Sequence, residues 1–186
     1  MKTLQEETHA TNEQSVPVGA ANSPARTGDT TQAAGEFLIF RLGEEAYGAD
    51  ILRVQEIRSY EAPTRIANAP DFIKGVINLR GVIIPIVDLR LKLALRSAEY
   101  NDSTVVIVLN VARRTVGVVV DAVSDVLELK DAQIKPAPTF SAALDTAFIT
   151  GIGSAVIDGQ EQILILVDIE ALVASADIGL AESATR

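Results

Sequence analysis

Few side chains in this sequence are suited to act as nucleophiles or general bases. It has no cysteine and a single histidine, His9, which lies in a polar segment near the amino terminus. A catalytic histidine must be held against a partner by the surrounding structure, and the residues around His9 predict no such setting. We therefore expect neither serine–histidine nor cysteine–histidine catalysis, and no metal site built from thiolate or imidazole ligands.

Carboxylates are the remaining candidates for chemistry. Asp121 with Asp125, and Asp168 with Glu170, could be imagined in an all-oxygen Ca²⁺ or Mg²⁺ site. Each is more simply interpreted as a cap or a solvated strand residue. The Gly-Ile-Gly triplet at 151–153 hints at a phosphate loop, but a third glycine and a long following helix are missing. We interpret it as a turn at the entry to a strand, and we expect no catalytic residue, no metal and no cofactor.

The net charge and the hydropathy of the sequence indicate which partners and which location to expect. The 186 residues carry a formal net charge of −9 and contain no dense run of lysine or arginine, so nucleic acid is not expected as a ligand. No apolar signal segment is present at the amino terminus, and no apolar run approaches the roughly 20 residues that a membrane helix needs. We predict a soluble, cytoplasmic protein that does not insert into a membrane.

The ends of the chain differ from its middle. Residues 1–35 hold hardly any large apolar side chains and predict a disordered tail, because such a segment cannot bury enough surface to offset its ordering entropy. A second tail is predicted at 174–186. The folded body is expected to be 36–173.

Short apolar runs and frequent turns predict a mainly β body. Turn signals recur about every eight to twelve residues, which is typical of barrels and sandwiches. The predicted strands are 37–42, 46–49, 53–58, 76–79, 82–87, 104–111, 115–120, 122–129, 155–157 and 163–167. Loops are predicted at 64–71 and 135–139. Short helices are predicted at 88–95, with Asp88 as a plausible N-cap, and at 168–173.

The body contains an internal repeat. The matching segments are 72–76 with 148–152, 86–89 with 166–169, and 48–57 with 117–126. An alternative is that short β segments resemble one another through composition alone. The retained order and spacing favour two similar halves and predict two small, intertwined β-barrel subdomains within 36–173. Packed together, the barrels would bury a third core and form a groove between them, a common place for a ligand.

The most specific stretch of the chain is 75–90. Asn78 and Arg80 interrupt an apolar ladder beside Gly81. An arginine at a turn between buried strands presents a planar fork of donors to a carboxylate. The alternative is an ordinary solvated turn residue.

These residues resemble the CheW family, the coupling proteins of bacterial chemotaxis. The similar segments are FLIFRLGEEAYGADILRVQEI, RIANAPDFIKGVINLRGVIIPIVDLR, YNDSTVVIVLN, VGVVVDAVSDVLEL and TGIG, which cover nearly all of 36–173. NLRG followed by PIVDLR, with VQEI upstream, is the most specific part. The resemblance implies two five-stranded SH3-like barrels, in agreement with the repeat. The amino-terminal tail is longer than the family leads us to expect.

The resemblance also implies a function. Such a protein would be a non-catalytic adaptor linking methyl-accepting chemotaxis receptors to the histidine kinase CheA, recruited to membrane-associated receptor arrays. The regulatory domain of CheA resembles CheW, so pairing of barrel with barrel is implied. The helical hairpin tip of the receptor is implied to lie in the groove between the barrels, a helix-in-groove mode of binding.

Carried over residue by residue, the resemblance implies a set of contact residues. Those implied to bind the receptor are Val54, Glu56, Gly75, Arg80, Val105, Val123 and Val126. Phe140 is implied to contact a neighbouring regulatory domain in the array. Whether Glu56 and Arg80 pair with each other or with the receptor stays open from the sequence.

Two alternatives also stay open. A scaffold of the same fold could serve a non-flagellar chemosensory pathway. A carboxylate-dependent enzyme or ligand-binding barrel would require an enclosed cavity lined by aspartate or glutamate.

Overall fold

The computed structural model describes residues 34–95, 98–111, 113–138 and 146–174. Within them the chain forms short strands, two short helices and two 3₁₀ turns. The strands are β1 Gly35–Leu42, β2 Glu45–Asp50, β3 Val54–Ser59, β4 Ile73–Leu79, β5 Val82–Asp88, β6 Val105–Val111, β7 Arg114–Val120, β8 Ala122–Leu129, β9 Ile134–Lys135, β10 Ile149–Ile157 and β11 Gln160–Val167. The helices are α1 Leu89–Lys92 and α2 Ile169–Ala174, and the 3₁₀ turns are Ile51–Arg53 and Asp131–Gln133.

The strands form two sheets. The first sheet has the order β8-β1-β2-β11-β10-β9, and the second has the order β3-β6-β7-β5-β4. Each sheet with its following helix is called a subdomain below: α2 follows β11 in the first subdomain, and α1 follows β5 in the second. The predicted mainly β architecture is confirmed. The first sheet has a sixth strand, the two-residue β9, beside the five predicted.

The two sheets repeat one topology. Matching β1 and β2 with β6 and β7, β3 with β8, and β4 and β5 with β10 and β11 makes their strand orders identical apart from β9. The register shifts at equivalent places, between Ile73 and Gly75 in β4 and between Ile149 and Gly151 in β10. The predicted repeat is confirmed. Its halves also exchange strands, since β3, β4 and β5 of the first half belong to the second sheet, and β8 to β11 of the second half belong to the first.

Three apolar cores hold this arrangement together. One lies within the first sheet and includes Phe37 and Leu164, and another lies within the second sheet and includes Ile84 and Val106. The third is shared and takes Phe40 and other side chains from both sheets. The shared core predicted from the repeat is therefore confirmed. Fully burying one such side chain contributes roughly 1.5–3 kcal/mol, so a core shared by both subdomains joins them firmly.

Strand β1 shows why its sequence is a continuous apolar run. Successive side chains of a strand point to opposite faces. Phe37 and Ile39 enter the core of the first sheet, whereas Leu38 and Phe40 enter the shared core. Both faces of β1 are buried, so no polar alternation is seen.

Some predicted boundaries are wrong. β10 begins at Ile149, six residues before the predicted start at 155, and α1 covers only Leu89–Lys92 of the predicted 88–95. The turn predicted at 151–153 is also wrong, because both glycines lie inside β10. A Cβ at Gly151 would stand 3.1 Å from the carbonyl oxygen of Lys135, so these glycines allow close packing.

Parts of the predictions fall beyond the described residues. The tails predicted for 1–35 and 174–186 lie outside them except at Ala34, Gly35 and Ala174. Phe140 also lies outside the described residues.

Candidate binding surface

The turn between β4 and β5 projects Arg80 into solvent. Arg80 has φ +50° and Gly81 has φ +88°, the pair of positive values that a two-residue type I′ turn requires. The backbone N–H of Gly81 donates to Oδ1 of Asn78 at 2.7 Å, which closes the turn. A non-glycine residue in this left-handed region costs about 1–2 kcal/mol. The side chain of Arg80 is 78% exposed, so burial does not offset that cost.

Arg80 is paired with Glu56. Its Nη2 donates to Oε2 of Glu56, a residue of β3 whose side chain is only 22% exposed. β3 and β4 are the two edge strands of the second sheet, so the pair joins β3 to the turn that follows β4. The question left open by the sequence is answered for the chain on its own: these residues pair with each other. An exposed pair of this kind contributes about 0–1 kcal/mol to stability, which leaves Arg80 free to exchange partners.

Three of the valines singled out lie at the edge of the shared core. Val54, Val105 and Val123 are partly buried and pack against that core. Val54 and Val123 are equivalent in the repeat, and each is followed by a residue that bulges out of the strand register. Val105 pairs with Ser59 at the far end of β3 from Val54. The three valines thus share one core but are spread along its rim.

Val126 stands apart from these valines because it is 41% exposed on β8. Its repeat counterpart on β3, Ile57, is also exposed, and Leu52 in the 3₁₀ turn before β3 is almost fully exposed. Sequence reasoning missed Ile57 and Leu52 as surface residues. The alignment of 48–57 with 117–126 already paired Ile57 with Val126, and that pairing was the available signal.

Gly75 occupies a different kind of position from the other predicted contact residues. It is buried and has φ +136°, and a Cβ there would stand 2.0 Å from the carbonyl oxygen of Thr64. Thr64 and Val76 exchange two backbone hydrogen bonds of 2.9 Å at this point. Gly75 therefore lets the loop after β3 pair with β4, and it offers no side chain to a partner.

A buried charged network, which sequence reasoning missed, lies beside the shared core. Arg90 and Asp88 are both fully buried, and Arg90 binds Asp88 through Nε at 3.0 Å and Nη2 at 2.8 Å. Nη1 of Arg90 donates to Oδ1 of Asp121 at 2.7 Å and to the carbonyl oxygen of Glu99. The hydroxyl of Tyr100 donates to Oδ2 of Asp88 at 2.7 Å. The sequence indicated only that Asp88 caps α1, which is confirmed by its bond from the N–H of Arg90.

The network keeps both buried groups charged. Burial raises the pKa of Asp88, but hydrogen bonds from Arg90 and Tyr100 outweigh that effect and bring it below its ordinary value of 3.8. Burial lowers the pKa of Arg90, and its bonds to Asp88 and Asp121 outweigh this and raise it. Burial and the neighbouring Asp88 both raise the pKa of Tyr100, so its hydroxyl is a neutral donor.

The acidic pairs considered for a metal site have other partners. Asp168 accepts hydrogen bonds from the N–H groups of Glu170 and Ala171 at the start of α2, and Asp125 accepts from the N–H of Val126. In the part of the chain that the structure describes, no three histidine or acidic residues are close enough together to hold a metal ion. None of the helices in these ranges has the length and apolar character to cross a bilayer.

Comparison with known proteins fits this architecture. The model of the CheW-like domain matches residues 36–177. The chain belongs to the CheW family. It is 57% identical over 151 residues to the chemotaxis protein CheW of Klebsiella aerogenes, covering 81% of this chain and 89% of that one. The probable chemotaxis protein CheW of Rhizobium etli is 37% identical over 146 residues, covering 78% and 92%.

A solved CheW structure has the same fold. The crystal structure of the scaffolding protein TtCheW from Thermoanaerobacter tengcongensis matches with a TM-score of 0.67 at 32% identity. The match covers 75% of this chain and 92% of that one. The two sheets described above are therefore the two SH3-like subdomains of a CheW protein.

Proposed function

We propose that this chain is a non-catalytic adaptor that couples methyl-accepting chemotaxis receptors to the histidine kinase CheA. Its place in the CheW family and its 57% identity to a chemotaxis CheW protein support the proposal. The observation that carries it is the Glu56–Arg80 pair. Glu56 lies on β3 together with Val54, and β3 pairs with β6, which carries Val105. Arg80 lies in the β4–β5 turn. A charged pair beside apolar rim residues suits a partner with an apolar face flanked by charge.

Apolar contacts supply most of the proposed receptor affinity. Val54, Val105, Val123 and Val126 would meet the apolar face of the receptor's helical hairpin tip. Burial of apolar surface contributes roughly 25 cal/mol per Å², whereas an exposed ion pair contributes about 0–1 kcal/mol. Ile57, the counterpart of Val126 in the other sheet, is exposed in the same way and is proposed as a further apolar contact.

Arg80 is proposed to give this contact its specificity. Its guanidinium is highly exposed and held by a single carboxylate, Glu56, so it can turn to a receptor carboxylate at little cost. Glu56 would then accept from a receptor donor or remain as the second partner of Arg80. Gly75 is proposed to act indirectly, by allowing Thr64 to pair with β4 near the end of the hairpin opposite the turn.

Recruitment to the kinase is proposed to use a separate face. The regulatory domain of CheA resembles CheW, and pairing of barrel with barrel would leave the interdomain surface open to the receptor. Phe140 is proposed to contact a neighbouring regulatory domain in the array. The adaptor would then work in the cytoplasm at membrane-associated receptor arrays.

Reconstitution tests the adaptor function. Purified chain, CheA and vesicles carrying a receptor cytoplasmic fragment are mixed, and sedimented protein and kinase activity are measured together. The chain is expected to sediment with the vesicles and to bring CheA with it, whereas CheA alone stays in solution. Failure of the chain to join receptor and kinase in one sediment would overturn the proposal.

Arg113→Glu provides a matched control for Arg80→Glu. Both arginines lie in hairpin turns at positive φ, +65° for Arg113 and +50° for Arg80, and both are exposed. Arg80→Glu is expected to lower sedimentation with receptor vesicles, and Arg113→Glu is expected to leave it unchanged. Equal losses would show that the net charge of the chain matters and that the site does not.

The alternative of a ligand-binding barrel receives no support from the cleft between α1 and α2. This cleft has a volume of about 360 Å³ and is lined by Tyr47, Lys92, Leu93, Ala94, Leu95, Phe148, Ile149 and Leu172. None of the described residues that line it is a carboxylate, whereas the alternative requires a cavity lined by aspartate or glutamate.

A further inference from the structure

In the described residues the chain passes between the two sheets at two points. The 3₁₀ turn Ile51–Arg53 carries it from β2 of the first sheet to β3 of the second, and Asp121 carries it from β7 of the second to β8 of the first. Val54 follows the first crossing immediately, and Val123 follows the second by two residues. The two crossings therefore set where Val54 and Val123 lie.

An ion pair ties each crossing to the short helix beside it. At the second crossing, Arg90 of α1 binds Asp121 at 2.7 Å. At the first, Glu170 of α2 binds Arg53 at 3.5 Å. Arg90 and Glu170 are equivalent in the repeat, two residues after Asp88 and Asp168. An ion pair between a crossing and the neighbouring helix thus occurs twice. The helix residue is an arginine in one pair and a glutamate in the other.

The two ion pairs differ in burial. Arg90 is fully buried and Asp121 is partly buried, whereas the side chains of Arg53 and Glu170 are 52% and 32% exposed. Exposed pairs are screened by water, so the Arg53–Glu170 pair contributes little to holding the first crossing. At the second crossing the Arg90 guanidinium is buried, and hydrogen bonds to protein groups replace those that it would make to water.

Asp121 connects this buried charge to the other subdomain. Its Oδ2 accepts from the N–H of Gly43 at 2.6 Å, in the turn between β1 and β2. Its own N–H donates to the carbonyl oxygen of Arg41 at 3.1 Å. The Arg90 guanidinium is itself fixed by Asp88 and by the Tyr100 ring, whose centroid is 4.7 Å from Cζ. A continuous set of bonds therefore runs from β5 of the second subdomain to β1 of the first.

We propose that Arg90 is a positioning residue which, through Asp121, fixes the angle between the two subdomains and so the relative placement of Val54 and Val123 for the receptor. The role in receptor coupling rests on the proposed function. Apolar residues can replace a buried ion pair without loss of stability, and a fixed network adds geometric specificity instead. The shared core holds the two subdomains together. The hydrogen bonds from Arg90 and Gly43 to Asp121 select one relative orientation of the subdomains.

The absence of cysteine from the chain makes this angle measurable. Ile83→Cys and Val156→Cys place one exposed cysteine on each subdomain, since Ile83 and Val156 are 61% and 68% exposed. Spin labels at both sites give the distribution of distances between the subdomains by pulsed electron paramagnetic resonance. The full chain is used throughout, and thermal unfolding is recorded for each variant so that only folded variants are compared.

Asp121→Asn is the principal variant because it keeps the size of the side chain and lies at a partly exposed position. It removes the charge that Arg90 binds and replaces one of the two acceptor oxygens of Asp121 by an NH2 group, which can only donate. The distance distribution is expected to broaden, and receptor-dependent kinase activation to fall about fivefold or more. Asp121→Glu restores the charge and is expected to recover part of both. Glu170→Gln is the matched control at the exposed crossing, and its distribution is expected to stay narrow.

Each outcome separates this inference from the proposed function. Broadening with loss of activation in Asp121→Asn, partly recovered in Asp121→Glu, supports the positioning role. An unchanged distribution in folded Asp121→Asn overturns it, and so does broadening without any change in activation. If the unsubstituted chain itself fails to activate the kinase, the proposed function fails, and broadening in Asp121→Asn alone still decides whether the network sets the angle.

Discussion

Arg80 and Glu56 meet across the two edge strands of the second sheet, with Arg80 highly exposed in a strained turn and Glu56 largely covered on β3. This unequal exposure means that the arginine can leave the pair more easily than the glutamate. A residue with positive φ and an exposed side chain adds little to the stability of the fold. We interpret Arg80 as a contact residue that Glu56 holds in place until a partner binds.

Exchanging the two charges tests this interpretation. Arg80→Glu and Glu56→Arg are each expected to weaken receptor binding, and Arg80→Glu to change the free energy of unfolding by only about 0–1 kcal/mol. The double variant Glu56→Arg/Arg80→Glu restores an internal pair with its polarity reversed. We expect it to recover stability but not receptor binding, as measured by urea unfolding and by pull-down. Recovery of binding in the double variant would mean that the pair acts only within the fold.

Gly75→Ala is expected to destabilise the chain by on the order of 3 kcal/mol, because its Cβ would overlap the carbonyl oxygen of Thr64 at an unfavourable φ. Gly81→Ala is the control. Gly81 also has positive φ, but no atom lies within 4 Å of the added Cβ, so a loss of about 1–2 kcal/mol is expected. Urea unfolding of both variants gives the comparison. Equal losses would contradict the close approach at Gly75.

The stability of the folded chain depends on pH through Asp88. Because its pKa is lowered in the folded chain, its contribution is fully present above about pH 4 and is lost as the pH falls through the folded value. Asp88→Asn leaves the buried Arg90 with the partly exposed Asp121 as its remaining carboxylate partner and is expected to cost about 3–5 kcal/mol. Asp168→Asn, at the exposed cap of α2, is the matched control and is expected to cost less than about 1 kcal/mol, because asparagine caps a helix about as well as aspartate. Unfolding is measured at neutral and acidic pH, and similar losses in the two variants would be the contrary result.

The three tyrosines make the stability of the folded chain depend on pH in alkaline solution. Burial raises the pKa of Tyr47, Tyr60 and Tyr100, and the charges of Glu45 and Asp88 add to the effect. A raised folded pKa means that this stability is fully present below about pH 10 and is lost as the pH rises further. Tyrosinate absorbance is therefore expected to appear at higher pH in the folded chain than in urea. Coincident titration curves would rule this out.

Periodicity and the repeat predicted much of the fold. The strand 122–129 was predicted with the bounds that β8 has, and the alignment of 48–57 with 117–126 predicted two equivalent halves. Intertwined subdomains were predicted, but the strands that each half exchanges were not, because a local pattern does not state which sheet a strand joins. The start of β10 was missed since Gly151 and Gly153 are poor strand formers, and only their packing against Lys135 and Leu129 explains them.

The candidate surface was predicted less completely than the fold. Glu56 and Arg80 were singled out through a motif, but these residues lie 24 positions apart in the chain, and their pairing depends on the approach of the two edge strands. The role of Asp121 was missed for the same reason, since Arg90 is 31 residues away from it. A charge in the sequence shows neither its burial nor its partner, and both decide what it does.

The affinity of the full chain for a purified receptor cytoplasmic fragment tests the central claim most directly. Isothermal titration calorimetry is carried out with the unsubstituted chain, Arg80→Glu and Arg113→Glu. We predict measurable binding by the unsubstituted chain and by Arg113→Glu, and a dissociation constant about tenfold higher for Arg80→Glu, equal to about 1.4 kcal/mol. Equal dissociation constants for all three folded proteins would contradict the assignment of the receptor site to Arg80, and no binding by any of them would contradict the adaptor function.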